Sequence, residues 1–302
     1  MLVGSRTIPS CAKLPRGEVA RVTSVLTIQS SVAYGYVGNA AAVPVLQRLG
    51  IEAWPVHTAV LSNHTAHPSA TGSAVEPAAA AAIVEGLAEL GALGALDGVL
   101  SGYLGRPGMA AVVADAVRRA RAANADLVYL CDPAVGRAGR GFFVGMDVMV
   151  EIGEQLLPLA DIVTPNAFEL SRLAHHGVES LNQARDAAET LRAAGPSVVV
   201  CTSIPGAAGA IVNLVATAGG AWTVTTPRID APAHGAGDVL AALFLGHTLA
   251  GAAPPDALSR AVSGVYAVLQ ATAEKGGLDL ALVGALEALA APPEVFRAER
   301  LG

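Results

Sequence analysis

Gly235-Ala236-Gly237-Asp238 runs directly into the apolar segment Val239-Leu240-Ala241-Ala242-Leu243-Phe244-Leu245 and has the residue types of an anion hole with a base beside it. Glycines at 235 and 237 let successive backbone N–H groups turn toward one point, and the helix expected to follow adds the positive end of its dipole. Charge developing on a transferred phosphoryl group is stabilised at such a point. Asp238, in the first helical turn, is placed to accept the proton of an attacking hydroxyl. The same four residues also suit an ordinary loop with an acidic first-turn residue, so by itself the pattern leaves both readings open.

Positioning such a site requires a scaffold, and short β-rich runs alternate with Ala-rich helical stretches along the chain. Strands are predicted over residues 22–28, 51–57, 98–101, 127–131, 162–164, 198–202, 210–215 and 222–225. Helices are predicted over residues 38–49, 77–90, 109–122, 148–157, 167–175 and 182–193, and three more over 237–249, 256–272 and 278–289 close one side. This alternation predicts an α/β fold of three αβα layers around a central, mostly parallel sheet. No Pro- or Ser-rich linker and no fixed-period repeat divides it. In such sheets ligands bind beyond the carboxyl ends of the strands, and here those ends are polar. They carry Gln29-Ser30-Ser31, Ser101-Gly102-Tyr103, Cys131-Asp132-Pro133, Thr164-Pro165-Asn166 with Glu169, and Thr202-Ser203.

Composition excludes other classes. The 302 residues carry a net charge of −6, without a Lys/Arg cluster interleaved with aromatics, so the electrostatic footprint of nucleic-acid binding is missing. Apolar runs such as residues 78–84 are too short and Ala-rich to span a bilayer. Residues 1–20, with Arg6, Lys13, Arg16 and three breakers, lack a signal-peptide core and are expected to form a loosely ordered extension to one domain over residues 21–302. Three cysteines, Cys11, Cys131 and Cys201, form no paired spacing, which suits a reducing cytoplasm and packing roles. None of the seven histidines stands at a metal-ligand spacing with a cysteine. Neither a P-loop nor a complete Gly-x-Gly-x-x-Gly is present.

The segments Ile28-Gln29-Ser30-Ser31-Val32-Ala33-Tyr34-Gly35-Tyr36-Val37-Gly38-Asn39, Trp54-Pro55, Leu61-Ser62-Asn63-His64-Thr65 and Ser101-Gly102-Tyr103-Leu104-Gly105 resemble pyridoxal kinases of the ribokinase superfamily. Cys131-Asp132-Pro133, Asp161-Ile162-Val163-Thr164-Pro165-Asn166 with Glu169, and Gly235-Ala236-Gly237-Asp238 follow in the family's order. The resemblance covers roughly residues 22–300 and implies a ribokinase-like domain that transfers the ATP γ-phosphoryl to the 5′-hydroxyl of pyridoxal. It implies Mg²⁺, usually a monovalent cation such as K⁺, and a cytoplasmic homodimer. It places Ser30, Val37, Thr65 and Tyr103 against the B6 vitamer, and Thr164, Asn166, Thr202, Pro227 and Arg228 on the nucleotide side. Asp132 and Glu169 fall near the Mg²⁺–phosphate network, and Gly235, Ala236, Gly237 and Asp238 form the catalytic loop. As residues, Tyr103 equally suits the core, Asn166 a helix N-cap, Asp132 a turn and Glu169 a solvated helix face.

The chain departs from the family pattern at three places. Asp132-Pro133-Ala134-Val135-Gly136 is followed by Arg137 where relatives carry an acid, and an arginine there either meets phosphate through its guanidinium or is solvated. Ala66-His67-Pro68 replaces the family's residues after Thr65, and residues 226–234 are shorter. The related hydroxymethylpyrimidine kinases give a second reading, because they too carry a histidine before the anion hole, as His234 is here. They usually add a Gly-Gly-rich segment after the first strand that this chain lacks, and often Cys where Asp238 stands. A catalytically idle protein that binds B6 vitamers is the third.

Overall fold

A strand covered by helices on both faces is apolar at successive positions, and this pattern sorts the strand residues into two cores. The computed structural model describes residues 21–302; the extension expected over residues 1–20, with Cys11, lies outside the described residues. The chain runs β1 (Ser24–Tyr34), α1 (Asn39–Arg48), β2 (Glu52–Asn63), β3 (Gly72–Ala74), α2 (Pro77–Glu89), β4 (Gly98–Ser101), α3 (Met109–Ala123) and β5 (Val128–Cys131). It continues through a small hairpin, β6 (Gly136–Arg137) and β7 (Gly141–Phe142), to α4 (Met146–Glu151), β8 (Ile162–Val163), α5 (Ala167–Leu173) and α6 (Leu181–Ala193). The last part is β9 (Val198–Pro205), β10 (Ile211–Thr217), β11 (Gly220–Thr226), α7 (Ala236–Leu249), α8 (Pro254–Lys275), α9 (Leu286–Ala290) and β12 (Glu299–Leu301).

Ten strands form one sheet in the order β12-β11-β10-β9-β8-β5-β4-β1-β2-β3. Pairings from β2 through β1, β4, β5 and β8 to β9 are parallel, whereas β10, β12 and β3 join antiparallel, so the expected mostly parallel αβα architecture is observed. Val25, Leu100, Leu130, Val200 and Val215 pack under α1, α7, α8 and α9. Their neighbours Leu26, Val99 and Tyr129 face the opposite core under α2 to α4, and Val199 and Leu214 face α5 and α6. Helix α7 is apolar nearly all round and buried from Val239 to His247, as a helix wedged between the sheet and α1 and α8 must be.

Several boundaries differ from the sequence reading for identifiable reasons. β1 and β2 run on to Tyr34 and Asn63 because they pair with each other beyond the rest of the sheet, through a register shift between Gln29 and Ser31. The helix expected over 148–157 is α4 followed by a widened turn at Ile152–Leu156 and a tight one at Leu157–Leu159, which contains Pro158. The helix expected over 278–289 reduces to a short turn and α9, since Gly276 and Gly277 take φ of 71° and 94° and Leu280 and Leu282 are buried from irregular chain. The edge strands β3 and β12 and the hairpin β6–β7, two or three residues each, are too short for a periodic signal. Phe244 has no exposed surface. Phe244→Ala is expected to cost about 3–5 kcal/mol, read as a lower denaturation midpoint with an unchanged slope in urea.

Candidate active site

The strand order reverses at β1, whose neighbours β2 and β4 lie on opposite sides, and ligand crevices of open α/β sheets form beyond the carboxyl ends at such a point. Three segments meet there. The turn after β1 reaches Gly38, which caps α1 at φ 55° with no room for a side chain: a Cβ would strike the Ser30 carbonyl and come within 2.7 Å of Ser30 Oγ. Gly235 caps α7 at φ 91°, and a Cβ there would collide with the Tyr36 carbonyl oxygen. The Gly38 N–H faces the Asp238 carboxylate. Ser30 and the Gly235–Asp238 loop, some two hundred residues apart in sequence, therefore share one floor. Beneath it a buried network fixes the β1 turn. Asn39 accepts from Thr27 Oγ1 at 2.8 Å and donates to the Gln29 and Val56 carbonyls at 3.1 and 3.2 Å.

Burial pushes the Asp238 carboxyl up to about 6, against the Gly38 N–H and its own N–H, which favour the anion. Asp132 is raised further, first by burial and then by the charges of Glu169 and Asp238, with the Ala134 N–H opposing. That N–H comes from a strained turn, since Ala134 has φ 44°. Glu169, pushed up to about 7 by burial, is no solvated face acid. Its two oxygens accept from the backbone N–H groups of Gly136 and Asn166 at 3.1 and 3.0 Å. Asn166 caps α5 by accepting from Phe168 and Glu169, and its Nδ2 donates to the Gly136 carbonyl at 2.9 Å, so both residues tie the β6–β7 hairpin to α5. Thr202 bridges to Asn166, and Thr164 Oγ1 is buried without a partner. Three converging carboxylates and an unspent hydroxyl form an oxygen donor set suited to a hard cation.

Above this floor the β2–β3 loop closes on itself. Ser62 Oγ donates to Asn63 Oδ1 and accepts from the Thr71 N–H, and Asn63 Nδ2 donates to the Ser69 carbonyl at 2.7 Å. The closure buries His64 beside Gly35, half-buries His67 and leaves Thr65 exposed. His64 stacks on His234 with centroids 4.8 Å apart. His64 Nε2 lies 3.1 Å from Asp279 Oδ1 and His67 Nε2 3.2 Å from Oδ2. These three ligand atoms fall within 4.8 Å of one another, a spacing a transition metal could use. However, His64 Nδ1 accepts from the Ala66 N–H at 3.3 Å, and Nε2, though 3.1 Å from Asp279 Oδ1, is buried without a well-formed hydrogen bond. The arrangement is that of an acid orienting two imidazoles. Tyr103 is half-buried, with its carbonyl held by Thr58 Oγ1 at 2.5 Å, and Val37 is half-buried in the β1 turn. Pro227 and Arg228 are exposed past β11, with no hydrogen bond to the cluster among the described residues. Asp279 escaped the sequence reading, and His67 and Asn39 were noted there without a role, because each is a single polar residue whose partners are set by the fold.

The two glycines of the loop separate structure from chemistry. Gly235→Ala forces the Tyr36 carbonyl to move and is expected to lower stability by at least about 2 kcal/mol, seen as a drop in Tm. Gly237 lies in the first turn of α7 with open space around a Cβ. Gly237→Ala should therefore keep or raise Tm, by up to about 1 kcal/mol from helix propensity.

A family model described as phosphomethylpyrimidine kinase matches residues 35–280. The chain is 45% identical to a pyridoxal kinase PdxY of Rubrobacter xylanophilus over 282 residues, 92% of this chain and 97% of the relative. It is 44% identical to a pyridoxal kinase PdxY of Deinococcus radiodurans over 287 residues, 92% and 96% of the two chains. Among solved structures, pyridoxal kinase from Leishmania donovani in complex with ADP and pyridoxamine superposes with a TM-score of 0.88 at 30% identity, covering 93% of this chain and all of that one. Pyridoxal kinase from Entamoeba histolytica gives 0.86 at 28% identity, with 93% and 100% covered. The motifs at Ser30–Asn39 and Ser62–Thr65, the ribokinase-like sheet and these likenesses agree, and the chain belongs to the pyridoxal kinase family.

Proposed function

We propose that this ATP-dependent kinase carries the γ-phosphoryl group of ATP to the 5′-hydroxyl of pyridoxal, giving pyridoxal 5′-phosphate and ADP, with Asp238 as the base. The observation that carries the reading is the approach of Gly38 to Asp238. Residues 28–39, the stretch most specific to pyridoxal kinases, end against the catalytic carboxylate, so a hydroxyl held by one segment is activated by the other. The same approach favours pyridoxal over hydroxymethylpyrimidine, and an intact anion hole argues against an idle binder. Pyridoxine and pyridoxamine belong to the same acceptor class, in keeping with the Leishmania kinase complexes.

In this reading Ser30, Val37, Thr65 and Tyr103 hold the vitamer. Asp238 takes the hydroxyl proton as the alcohol oxygen forms its bond to the γ-phosphorus and the bond to the ADP oxygen breaks. The N–H groups of Gly235 and Gly237, at the positive end of α7, stabilise the phosphoryl oxygens, whereas the Ala236 N–H, expected to join them, is spent on the Ala233 carbonyl at 3.1 Å. Thr164, Asn166 and Thr202 line the phosphate side, and Pro227 and Arg228 the adenine side. Asp132, with Glu169 behind it through water, would hold Mg²⁺, which supplies charge neutralisation of the phosphates. The donor set fits, because Asp132 is buried beside Glu169 and Asp238 and only a cation lets these charges share a pocket with a triphosphate. A monovalent cation such as K⁺ is supported by the family likeness alone, and no step here depends on it.

A cytoplasmic homodimer completes the reading, supported by the family and by apolar side chains left exposed on the β1–β2 extension, namely Tyr34 at 64% and Val60 at 51%. No helix among the described residues is long and apolar enough to cross a membrane.

Coupled assays with ATP and each of pyridoxal, pyridoxine, pyridoxamine and hydroxymethylpyrimidine test the substrate class, with pyridoxal turned over fastest. Faster turnover of hydroxymethylpyrimidine would overturn it. Asp238→Asn removes the basic oxygen and is expected to lower kcat at least ~10²-fold with ATP affinity little changed. A protonated Asp238 cannot act as base, so kcat/KM for the wild type should rise with pH through about 6 and level off above it. Excess EDTA should abolish turnover, and added Mg²⁺ restore it. Light scattering at micromolar concentration should give twice the chain mass.

A further inference from the structure

Arg137 is one of the three places at which this chain departs from the family pattern, and its surroundings say what it is for. The β6–β7 hairpin carrying it is held rigidly. Gly136 is gripped through its N–H by Glu169 and through its carbonyl by Asn166, and a Cβ there would meet the Gly141 carbonyl at 2.5 Å and the Phe168 ring at 2.8 Å. Phe142 packs edge-on against Phe168 with centroids 5.3 Å apart, and Arg140 N–H closes the turn on the Arg137 carbonyl at 3.2 Å. The guanidinium that follows is thus aimed by fixed backbone. Its Nη2 lies 3.5 Å from Nε2 of His234, the residue directly before Gly235, so it stands at the mouth of the anion hole.

The guanidinium has no anionic partner. Arg119, Arg121 and Arg192 each pair with a carboxylate, whereas no ion pair reaches Arg137 or the exposed Arg140 among the described residues. Burial, with Arg140 nearby, makes the charge of Arg137 costly, which is seen as a lowered pKa. Asp132, Glu169 and Asp238 do not relieve it, since none of them forms an ion pair or hydrogen bond with Arg137 among the described residues. His234, held neutral by burial and by Arg137, offers only a weak acceptor. A half-buried charge with no carboxylate partner, one residue past a Gly136 that donates to Glu169, is a site prepared for an anion.

We infer that Arg137, carried on the β6–β7 hairpin with Arg140 behind it, binds the phosphate chain of the nucleotide opposite the acid cluster. A planar guanidinium suits two phosphate oxygens at once. The triphosphate then lies between a cation held by the acids and the arginine, with the γ-phosphoryl over the α7 N-terminus. The inference rests on the kinase reading and adds a phosphate-binding residue that the family's acidic residue at this position could not supply.

Calorimetry of wild type, Arg137→Met and Arg137→Lys with ADP, adenosine and pyridoxal tests it. Arg137→Met is expected to weaken ADP about 10- to 100-fold, leave adenosine and pyridoxal unchanged, and keep or raise Tm. Arg137→Lys should keep part of the ADP affinity, and millimolar guanidinium chloride, unlike NaCl, should restore turnover to Arg137→Ala. Unchanged ADP affinity in Arg137→Met, or equal loss of adenosine and ADP, overturns the proposal while leaving the kinase reading intact. A Tm drop with weakened pyridoxal in both variants overturns it in favour of a structural contact with His234. A wild type that binds no ADP overturns both.

Discussion

Where the turn after β1 meets the start of α7 there is no space for a side chain on either partner. Gly235 lies against the Tyr36 carbonyl and Gly38 against Ser30, so two backbones are in van der Waals contact where most loops would be separated by side chains. Everything chemical in the molecule depends on that approach. It puts the turn proposed to bind the acceptor, the proposed base Asp238 and the start of α7 within one small volume, and it requires α7 to enter the core at a fixed angle. Helix α7 can do so because it is buried on nearly all sides. The buried Asn39 network does the same for the other partner by locking the β1 turn to β2.

The electrostatics of the site are arranged in opposition. Asp132, Glu169 and Asp238 are raised by burial, so in the free protein ionising them costs stability as pH climbs from the ordinary carboxylate range through about 6 and 7. His234, lowered to about 4, works the other way: the folded form resists protonation, and stability is lost as pH falls from about 6.5 toward 4. The two effects overlap and partly cancel in the free protein.

Much of this was legible in the residues. The period-two and all-apolar strand runs, the Ala-rich helices between them and the polar strand ends declare a parallel αβα sheet with its site along one edge, because burial on two faces and capping at strand ends are local requirements. Gly235 and Asp238 were visible as a helix start for the same reason: the demand for positive φ at Gly235 and for an acid in the first turn acts within four residues, whereas Gly237, expected to help turn the N–H groups, is an ordinary helical residue. The edge strands β3 and β12, the broken helix after Pro158 and the unwound segment before α9 were not legible. Their conformations answer to pairing and packing partners far along the chain.

Sequence alone determined the fold class and the family and singled out the loop proposed to react, since each follows from short-range patterns of residue type. Tertiary structure decided what those patterns left open. Asn166 proves to cap α5 and hold a hairpin, Glu169 is buried on two backbone N–H groups instead of facing solvent, and Arg137 is half-buried beside His234. The charge state and role of such a side chain depend on how much water surrounds it and on which groups the fold places nearby. Neither quantity exists until β5, β8, β9 and α7 have been brought to one end of the sheet.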